Sequence, residues 1–326
     1  MQESQIQLIF AEIKKVRYVQ KKCPACGSNM TKKNGVRGGK QLYKCQKCGH
    51  QFRQRSGPTD EKLWQMYQDG KQTVSELANA LGISTSTIRR RLSSLDVKWE
   101  QPPLSGGGYV HVDTTYWGHN WGVLLAIDSS TGNVLYLAFV QHETVVDYCS
   151  AIKSIESRGY CIKGIVIDGM RSLFREFARY PVQMCHFHMV SIIRRYLTKN
   201  PRLKAARELK RIVFTLTDTD KRTFEREYAQ WKTDYSSTIN RRSVSKRTGS
   251  SHYTHKKLRT AMHSVDFYLP YLFTFQREEC AGMPNTNNKL EGTFTDLKKN
   301  LNLHSGLSLE NRKRFIRGFF LAWNEI

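Results

Sequence analysis

The sequence of 326 residues lacks an apolar run long enough to cross a membrane. Its stretch from Val134 to Gln141 is eight residues long, whereas a membrane-spanning helix needs about 20. The residues from Met1 to Phe10 also lack the basic start and long apolar run of a secretory signal. We therefore expect a soluble, cytoplasmic protein with no membrane partner.

The composition also lacks the marks of a disordered or collagen-like chain. Apolar residues make up 39% and aromatic residues 11%, which is enough to bury a substantial core. At about 150 residues per domain, the length predicts two or three domains.

Acidic residues are scarce compared with basic ones: the chain has 28 Asp and Glu against 52 Lys and Arg, a formal net charge of +24. Residues 11–55 hold 13 basic residues and one acidic residue, and residues 189–260 hold 19 and six. Two separate segments thus carry nearly all of the excess. This pattern favours nucleic acid as the partner, because each Lys or Arg on a phosphate releases a condensed counterion. A merely solubilising surface is the alternative.

Cysteine is sparse too, but four of the eight cysteines lie in one 26-residue window. Cys23 and Cys26 form one CxxC pair, and Cys45 and Cys48 form a second pair after 18 intervening residues. This spacing is typical of a tetrahedral, structural Zn²⁺ site in a zinc ribbon. Structural disulfides are the alternative, which a reducing compartment disfavours. The basic residues around the ribbon that we expect to contact DNA are Lys21, Lys22, Lys32, Lys33, Arg37, Lys40, Lys44, Lys47, Arg53 and Arg55.

A pattern of helix, tight turn and helix follows over residues 74–92, after a candidate helix at 59–69. Gly82 suits the turn, and Ser84 can cap the second helix. Three consecutive arginines, Arg89 to Arg91, favour a DNA-binding helix-turn-helix over an ordinary helical hairpin. The side chains that we expect to contact DNA are Thr85, Ser86, Thr87, Arg89 and Arg90.

A linker rich in Pro and Gly at residues 99–108 separates this part from a core with alternating strands and helices. The predicted core elements are strands at 109–116, 121–128 and 134–140, a helix at 144–158, a strand at 162–168, a helix at 171–177, a strand at 182–186 and a helix from about 189. Three meandering strands followed by alternating helices and strands predict a mixed sheet covered by helices.

Two aspartates mark this core chemically. Asp113 lies within the first strand and Asp168 ends the fourth, and these two strands are expected to be neighbours. Close carboxylates repel one another unless a divalent metal lies between them, so the pair predicts a metal site. Asp128 is expected to be a turn residue rather than a ligand.

Two further motifs complete a resemblance to a known family. Glu291 opens a predicted helix within Pro284–Gly292, and Cys185 and His188 form a Cys-x-x-His motif after the second aspartate. Together with the two aspartates, over about 215 residues, they resemble DDE transposases of bacterial insertion sequences, of the Mutator-like type, which have a ribonuclease-H-like core. A zinc ribbon with a helix-turn-helix also occurs in such elements.

The resemblance implies a multidomain α/β protein. Its expected parts are a zinc ribbon at 1–56, a helix-turn-helix at 57–100, and a ribonuclease-H-like catalytic domain at 109–326 with an all-helical insertion at about 190–285. Glu291 follows Asp168 by 123 positions, and the insertion would return the chain so that Glu291 joins the aspartates. Lys298 lies two turns further along the same helix and is expected to face DNA.

The activity implied is DNA transposition. Asp113, Asp168 and Glu291 would hold two Mg²⁺ or Mn²⁺ ions for hydrolysis at the element end, followed by transesterification into target DNA. The partners implied are the terminal inverted repeats, the target DNA and at least one further copy of the chain on DNA, with a nucleoid-associated location in bacteria. A regulator derived from a transposase, and a ribonuclease-H-like nuclease without strand transfer, are the alternatives.

Several further residues are weaker candidates for a functional role. Cys185 and His188 are either motif residues or plain core residues, and a second zinc site is less favoured. Trp231 is expected in the core or on the surface rather than stacked on an unpaired base. The remaining candidates, expected only at the start of a helix, are His142, Glu143 and Asp147.

Overall fold

The computed structural model describes residues 22–53, 57–118 and 120–324. The chain divides into two compact units, one before and one after residues 96/97. The predictions for the first ten residues, and for Lys21 and Arg55, lie outside the described residues. In the described part of the chain, no helix is long and apolar enough to cross a bilayer.

The first unit begins with a three-stranded antiparallel sheet of β1 (Thr31–Arg37), β2 (Lys40–Cys45) and β3 (Gln51–Arg53). Gly38 and Gly39 join β1 to β2 with φ of 61° and 71°. Two successive left-handed residues form the tight hairpin turn that matches strand twist, which is why glycine is required at both positions.

Three helices complete the first unit: α1 (Asp60–Gln68), α2 (Val74–Leu81) and α3 (Thr85–Ser94). Leu63, Leu77 and Ile88, one from each helix, are completely buried. The regularly spaced apolar side chains of the three helices thus pack into one small core.

The second unit is built on a five-stranded mixed sheet. Its strands are β4 (Gly107–Trp117), β5 (Trp121–Asp128), β6 (Val134–Val140), β7 (Cys161–Ile167) and β8 (Val182–Met184). They lie in the order β6-β5-β4-β7-β8, with β5 antiparallel to both neighbours and β4, β7 and β8 parallel. The predicted neighbours, strands one and four of this sheet, are indeed adjacent.

Helices surround this sheet and extend it. They are α4 (Val145–Ser157), α5 (Arg171–Glu176), α6 (His186–Leu197), α7 (Lys204–Phe214), α8 (Lys221–Asp234), α9 (Ser236–Asn240), α10 (Lys256–Leu272), α11 (Asn288–Leu303) and α12 (Leu309–Asn324). A short hairpin of β9 (Arg242–Val244) and β10 (Ser251–Tyr253) lies before α10, and two 3-10 turns follow it.

The two faces of β4 meet different partners. Val110 and Val112 belong to the large core that includes α4 and the helices between α6 and α10. Tyr109, on the alternate face, packs in a small cluster with Cys185 and Met283 near the start of α11. Because side chains alternate along a strand, Asp113 shares its face with Tyr109.

The end of α10 is fastened to the edge strand β8. The carbonyl oxygen of Leu272 accepts hydrogen bonds from Gln183 Nε2 (2.9 Å) and His186 Nε2 (2.6 Å). The hydroxyl of Thr274 donates to the carbonyl of Val182 (2.7 Å). These bonds hold the chain against the sheet at the end of the inserted region. Glu291, on the next helix, can reach the aspartates only from there.

The predicted fold class is confirmed: the protein is a multidomain α/β protein with a four-cysteine unit, a helix-turn-helix and a ribonuclease-H-like mixed sheet with an inserted helical region. The insertion is not all-helical, however, because β9 and β10 pair within it. Helix α6 also begins at His186, three residues before the predicted start at Met189. The predicted domain boundaries stay a prediction.

Candidate functional site

The four N-terminal cysteines lie together. Their sulfur atoms are all within 4.8 Å of one another, with Cys23 Sγ 3.5 Å from Cys48 Sγ and Cys26 Sγ 3.6 Å from Cys45 Sγ. Four sulfurs at about 2.3 Å from a tetrahedral zinc would be about 3.8 Å apart, so the donors fit this ion. The cluster could hold a metal, as the sequence predicts.

Local structure explains how each pair of cysteines converges. Gly27 and Gly49 adopt φ of 69° and 75°, and their N–H groups donate to the carbonyls of Cys23 (2.8 Å) and Cys45 (3.0 Å). Each CxxC segment therefore closes a tight turn in a conformation that glycine adopts without strain. The backbone N–H groups of Cys48 and Lys47 lower the pKa of Cys45 to about 6, whereas the neighbouring thiols raise the pKa of Cys48 to about 12. Four sulfurs this close cannot all be thiolates unless a cation lies between them.

The helix-turn-helix is capped at each point that the sequence indicates. Thr73 and Glu76 form a capping box at α2, and Gly82 ends that helix at φ of 64°. Ser84 accepts a hydrogen bond from the Thr87 N–H (3.2 Å) at the start of α3. These bonds satisfy backbone groups that helix ends otherwise leave without partners.

Helix α3 separates its arginines into two environments. Arg89 and Arg90 are exposed, whereas Arg91 is buried. The Arg91 guanidinium donates to Asp60 Oδ1 (2.5 Å) and to the Pro58 carbonyl (2.5 Å). Arg91 therefore belongs to the core of the first unit. Of the three consecutive arginines, Arg89 and Arg90 are the two that remain available to contact DNA. Of the other predicted DNA contacts, Ser86 is exposed, and Thr85 and Thr87 are half-buried.

The first two acids of the predicted site lie on adjacent parallel strands. The register pairs Val110 with Ile165 and His111 with Val166. Continued by two residues, it places Asp113 opposite Asp168, which directly follows β7. Asp113 is 8% exposed, and its Oδ1 accepts the Thr114 N–H (2.7 Å).

Glu291 lies in the first turn of α11, which packs against β4. Its Oε1 atom is buried without a hydrogen-bond partner among the described residues, and it lies 3.8 Å from His188 Nε2. A buried carboxylate oxygen without a donor is costly unless a cation compensates it. This atom is therefore suited to a metal ligand.

The carboxylates lie near enough for the charges of three of them to act on Asp113. Burial raises the pKa of Asp113 well above its usual value, and the charges of Asp168, Glu143 and Glu291 raise it further. Burial also raises the pKa of Glu291. Bringing these carboxylates together without a cation is unfavourable, which is the behaviour expected of a site for divalent ions.

The acids are not as compact as the cysteines. In residues 22–53, 57–118 and 120–324, the cysteine cluster is the one group of three or more His, Cys, Asp or Glu whose ligand atoms all lie within 4.8 Å. A single ion therefore could not be shared by all three acids as they stand. Two ions about 3.5–4 Å apart span a wider set of ligands.

A fourth carboxylate, Glu143, was expected only at the start of a helix. Its pKa is raised by burial and by the charge of Asp168, and its side chain accepts a hydrogen bond from the Tyr148 hydroxyl. The same hydroxyl lies 3.3 Å from Thr114 Oγ1, next to Asp113. In the sequence, the only signal is the position of Glu143 just before the N-cap Thr144, which is too common to identify it.

A buried polar network ties α11 to the sheet. Asn287, the N-cap residue of α11, makes no side-chain capping bond and instead contacts His111 Nδ1 through its Oδ1. The Asn287 N–H donates to Cys185 Sγ (3.2 Å) at the start of α6. Thus Asn287 links the Glu291 helix to the Asp113 strand and to the Cys-x-x-His segment.

Both interpretations of the Cys-x-x-His segment stay predictions, and both residues lie at this network. Cys185 is completely buried and His188 lies beside Glu291, so both contact the start of the third acid's helix.

Burial lowers the pKa of His111 to about 4, and this ring is therefore neutral at pH 7 and can donate from Nδ1 to Asn287. Sequence reasoning missed His111 because a histidine within a strand carries no specific signal.

The remaining candidates take structural positions. Asp128 accepts from the N–H groups of Ser130 (2.7 Å) and Thr131 (2.9 Å), as a turn residue does. Trp231 is buried, and its Nε1–H donates to the Ala205 carbonyl (2.9 Å), so it is a core residue. Lys298 is half-buried on α11, with Nζ 5.8 Å from the ring centre of Trp117.

One segment of the chain matches a known protein family. Residues 63–96, which span most of α1 through α3, match the family described as winged helix-turn-helix DNA-binding. No curated protein matches the sequence significantly.

Two solved structures show similarity at low sequence identity. The Drosophila P element transposase strand transfer complex has a TM-score of 0.41 and 11% identity, over 83% of this chain and 93% of that chain. The simian T-cell lymphotropic virus intasome in complex with PP2A regulatory subunit B56 gamma has a TM-score of 0.21 and 11% identity, over 56% of this chain and 66% of that chain. TM-scores below 0.5 do not establish a common fold.

Proposed function

We propose that this protein is a DNA transposase of the DDE type. The observation that carries the proposal is the convergence of Asp113, Asp168 and Glu291 into one electrostatic cluster, from two adjacent strands and a helix 123 residues downstream. The similarity of residues 63–96 to DNA-binding domains and the two basic segments support DNA as the substrate.

The acids fit a pair of Mg²⁺ or Mn²⁺ ions, because they offer oxygen ligands and one buried oxygen without a partner. When bound, such ions activate the attacking oxygen and stabilise the leaving oxygen of an in-line displacement at a phosphodiester. Asp113 and Asp168 would hold them from the sheet and Glu291 from α11. His188 would keep the Glu291 carboxylate in place, and Lys298, on the same helix, would meet a DNA phosphate.

The first unit would select the DNA. Arg89, Arg90 and the hydroxyls at the start of α3 would contact the terminal inverted repeats of the element, while the cysteine unit holds structural Zn²⁺ and adds basic residues along the backbone. Joining two ends of an element requires at least two copies of the chain on DNA.

A reaction with the inverted repeats that flank the reading frame tests this proposal. With Mg²⁺, the wild-type protein is expected to nick the repeat at the element end and to join the released 3′ end to a target plasmid. Asp113→Asn, which keeps the shape but removes the charge, is expected to abolish both products. Cleavage without joining would favour the nuclease alternative, and repeat binding without cleavage would favour the regulator.

A further inference from the structure

A second basic site lies in the inserted region, within the second unit. A cavity of about 550 Å³, open to solvent, lies between the end of α6, the start of α7 and the segment that joins β10 to α10. Its lining contains no Asp or Glu. The lining residues that matter here are Tyr196, Arg202, His252, Tyr253, Lys256 and Lys257.

The charge around this cavity has a single sign. No acidic residue occurs between Asp234 and Asp266, and this interval holds seven Lys and Arg. Arg202, Lys256 and Lys257 are exposed and form no ion pair within the described part of the chain. An uncompensated cluster of cations around a concavity attracts an anionic ligand.

Aromatic side chains share the cavity wall with these cations. Tyr196 and Tyr253 are half-buried. The guanidiniums of Arg259 and Arg242 already lie 3.6 and 4.7 Å from the ring centre of Tyr253. The nearest guanidinium to Tyr196, that of Arg195, is 5.6 Å from the ring centre, so Tyr196 is the ring better placed to take a base. Cations that follow a phosphate backbone, together with aromatic rings on which bases stack, are the combination by which proteins hold single-stranded nucleic acid. Trp231, the stacking candidate from the sequence, is enclosed in the core and cannot serve.

The wall of the cavity is held in a costly backbone conformation. Thr198, the C-cap of α6, has φ of 67° and ψ of 174°, a region that residues other than glycine rarely adopt. Such a residue costs about 1–3 kcal/mol and persists only where the surrounding packing enforces it. Thr198 lies in the exposed turn between α6 and α7, which forms this side of the cavity.

We propose that this cavity binds the phosphates and bases of an unpaired DNA strand, a role that rests on the proposed transposase function. Its volume lies in the range of sites for small ligands, which accommodates about one or two nucleotides. The bases of a double helix are stacked and paired within the duplex and cannot reach an aromatic ring in the wall, so a duplex would lack the stacking contribution. In the proposed function, the strand would be the one exposed beside the cleaved element end.

The test compares two double variants of the full chain. Lys256→Ala with Lys257→Ala removes two charges from the cavity, and Lys221→Ala with Arg222→Ala removes two exposed charges from α8, away from it. Binding of a fluorescein-labelled 12-residue oligo-dT and of a 12-bp duplex is followed by anisotropy over a range of salt concentrations. Arg202→Ala provides a second, independent cavity variant.

The cavity variants are expected to bind oligo-dT about tenfold more weakly and to bind duplex as the wild type does. Because each phosphate contact with a single strand contributes about 0.7 to the slope of log K against log salt, the double cavity variant should lower that slope by about 1.4. The α8 variant should leave affinity and slope unchanged.

Three results would overturn the proposal: equal losses in the cavity and α8 variants, an equal loss of duplex binding, or displacement of oligo-dT by millimolar inorganic phosphate alone. Oligo-dT binding is measured without divalent ions and requires no cleavage. A failure of catalysis is therefore distinguishable from a failure of this site.

Discussion

At the scale of single residues, burial determines which side chains are available for chemistry. Asp113 and Glu291 are held in low-dielectric surroundings that favour their protonated forms. A divalent cation reverses that preference, because it interacts only with the ionised carboxylates. In the proposed function, the same burial that makes these acids unfavourable neighbours makes them effective ligands.

His111 provides a residue-scale prediction about pH. Its folded pKa of about 4 lies below the ordinary value of 6.5, so the unfolded chain binds more protons between these values. The stability that His111 contributes is present above pH 6.5 and is lost as the pH falls towards 4. We expect the wild-type protein to lose about 2 kcal/mol from this group between pH 6.5 and pH 5.

Urea unfolding of wild type and His111→Gln at pH 7 and pH 5 checks this expectation. Glutamine keeps an N–H donor for Asn287 but does not titrate, and the variant should therefore lose less stability on acidification. An identical pH dependence in both proteins would show that His111 does not become protonated on unfolding in this range.

At the scale of secondary-structure elements, α3 illustrates how one helix serves both the core and a surface. Ile88 and Arg91 face inward, and Arg89 and Arg90 face solvent. The sequence shows three equivalent arginines, and only the position of Asp60 in the fold distinguishes the third.

We predict opposite effects for neighbouring substitutions in α3. Arg91→Ala leaves Asp60 and the Pro58 carbonyl without their donor, which should lower the free energy of unfolding by about 3 kcal/mol. Arg90→Ala should leave stability within about 0.5 kcal/mol of wild type and weaken DNA binding. Thermal unfolding and DNA anisotropy on both variants separate the two effects, and equal destabilisation would contradict the assignment.

Elements with a clear apolar period could be predicted from the sequence. The bounds of β5 and β6 agree with the prediction at both ends, because both strands are runs of mostly apolar residues that end at polar turn residues, and β5 is buried on both faces. The hairpin of β9 and β10 was missed, since its strands are three residues long and rich in polar residues. Such strands are defined by their pairing and not by a hydrophobic face.

The candidate site could be predicted only in part, for a physical reason. Each acid occurs at a recognisable place in its own element, but the contacts that hold Glu291 in place come from residues distant in sequence. The His111–Asn287 contact joins residues 176 positions apart, and no local pattern encodes it. Glu143 could not be predicted for the same reason, because it comes close to Asp168 only in the folded chain.

At the scale of the whole molecule, the first unit has little apolar material around the cysteines. Of the residues described between 22 and 53, Cys23, Tyr43 and Cys45 are the buried apolar ones. A segment with so small a core usually depends on a metal for its folding. We therefore expect zinc to supply most of the stability of this part of the chain.

Chelation tests this dependence. Removing zinc should make the four N-terminal cysteines reactive towards a thiol reagent and expose residues 22–53 to proteolysis, while the second unit stays resistant. Cys26→Ser should release zinc without a chelator, whereas Cys161→Ser, at an exposed cysteine outside the cluster, should retain it. Resistance of residues 22–53 after complete removal of the metal would exclude a structural role for zinc.

The most direct measurement for the whole account is the rate of Mg²⁺-dependent cleavage at the element end by Glu291→Gln and by Asp296→Asn. Both substitutions neutralise an acid on α11, but only Glu291 belongs to the acidic cluster, and Asp296 is exposed. We expect a loss of at least about 100-fold for Glu291→Gln and wild-type cleavage for Asp296→Asn. Cleavage by Glu291→Gln at the wild-type rate would contradict this expectation.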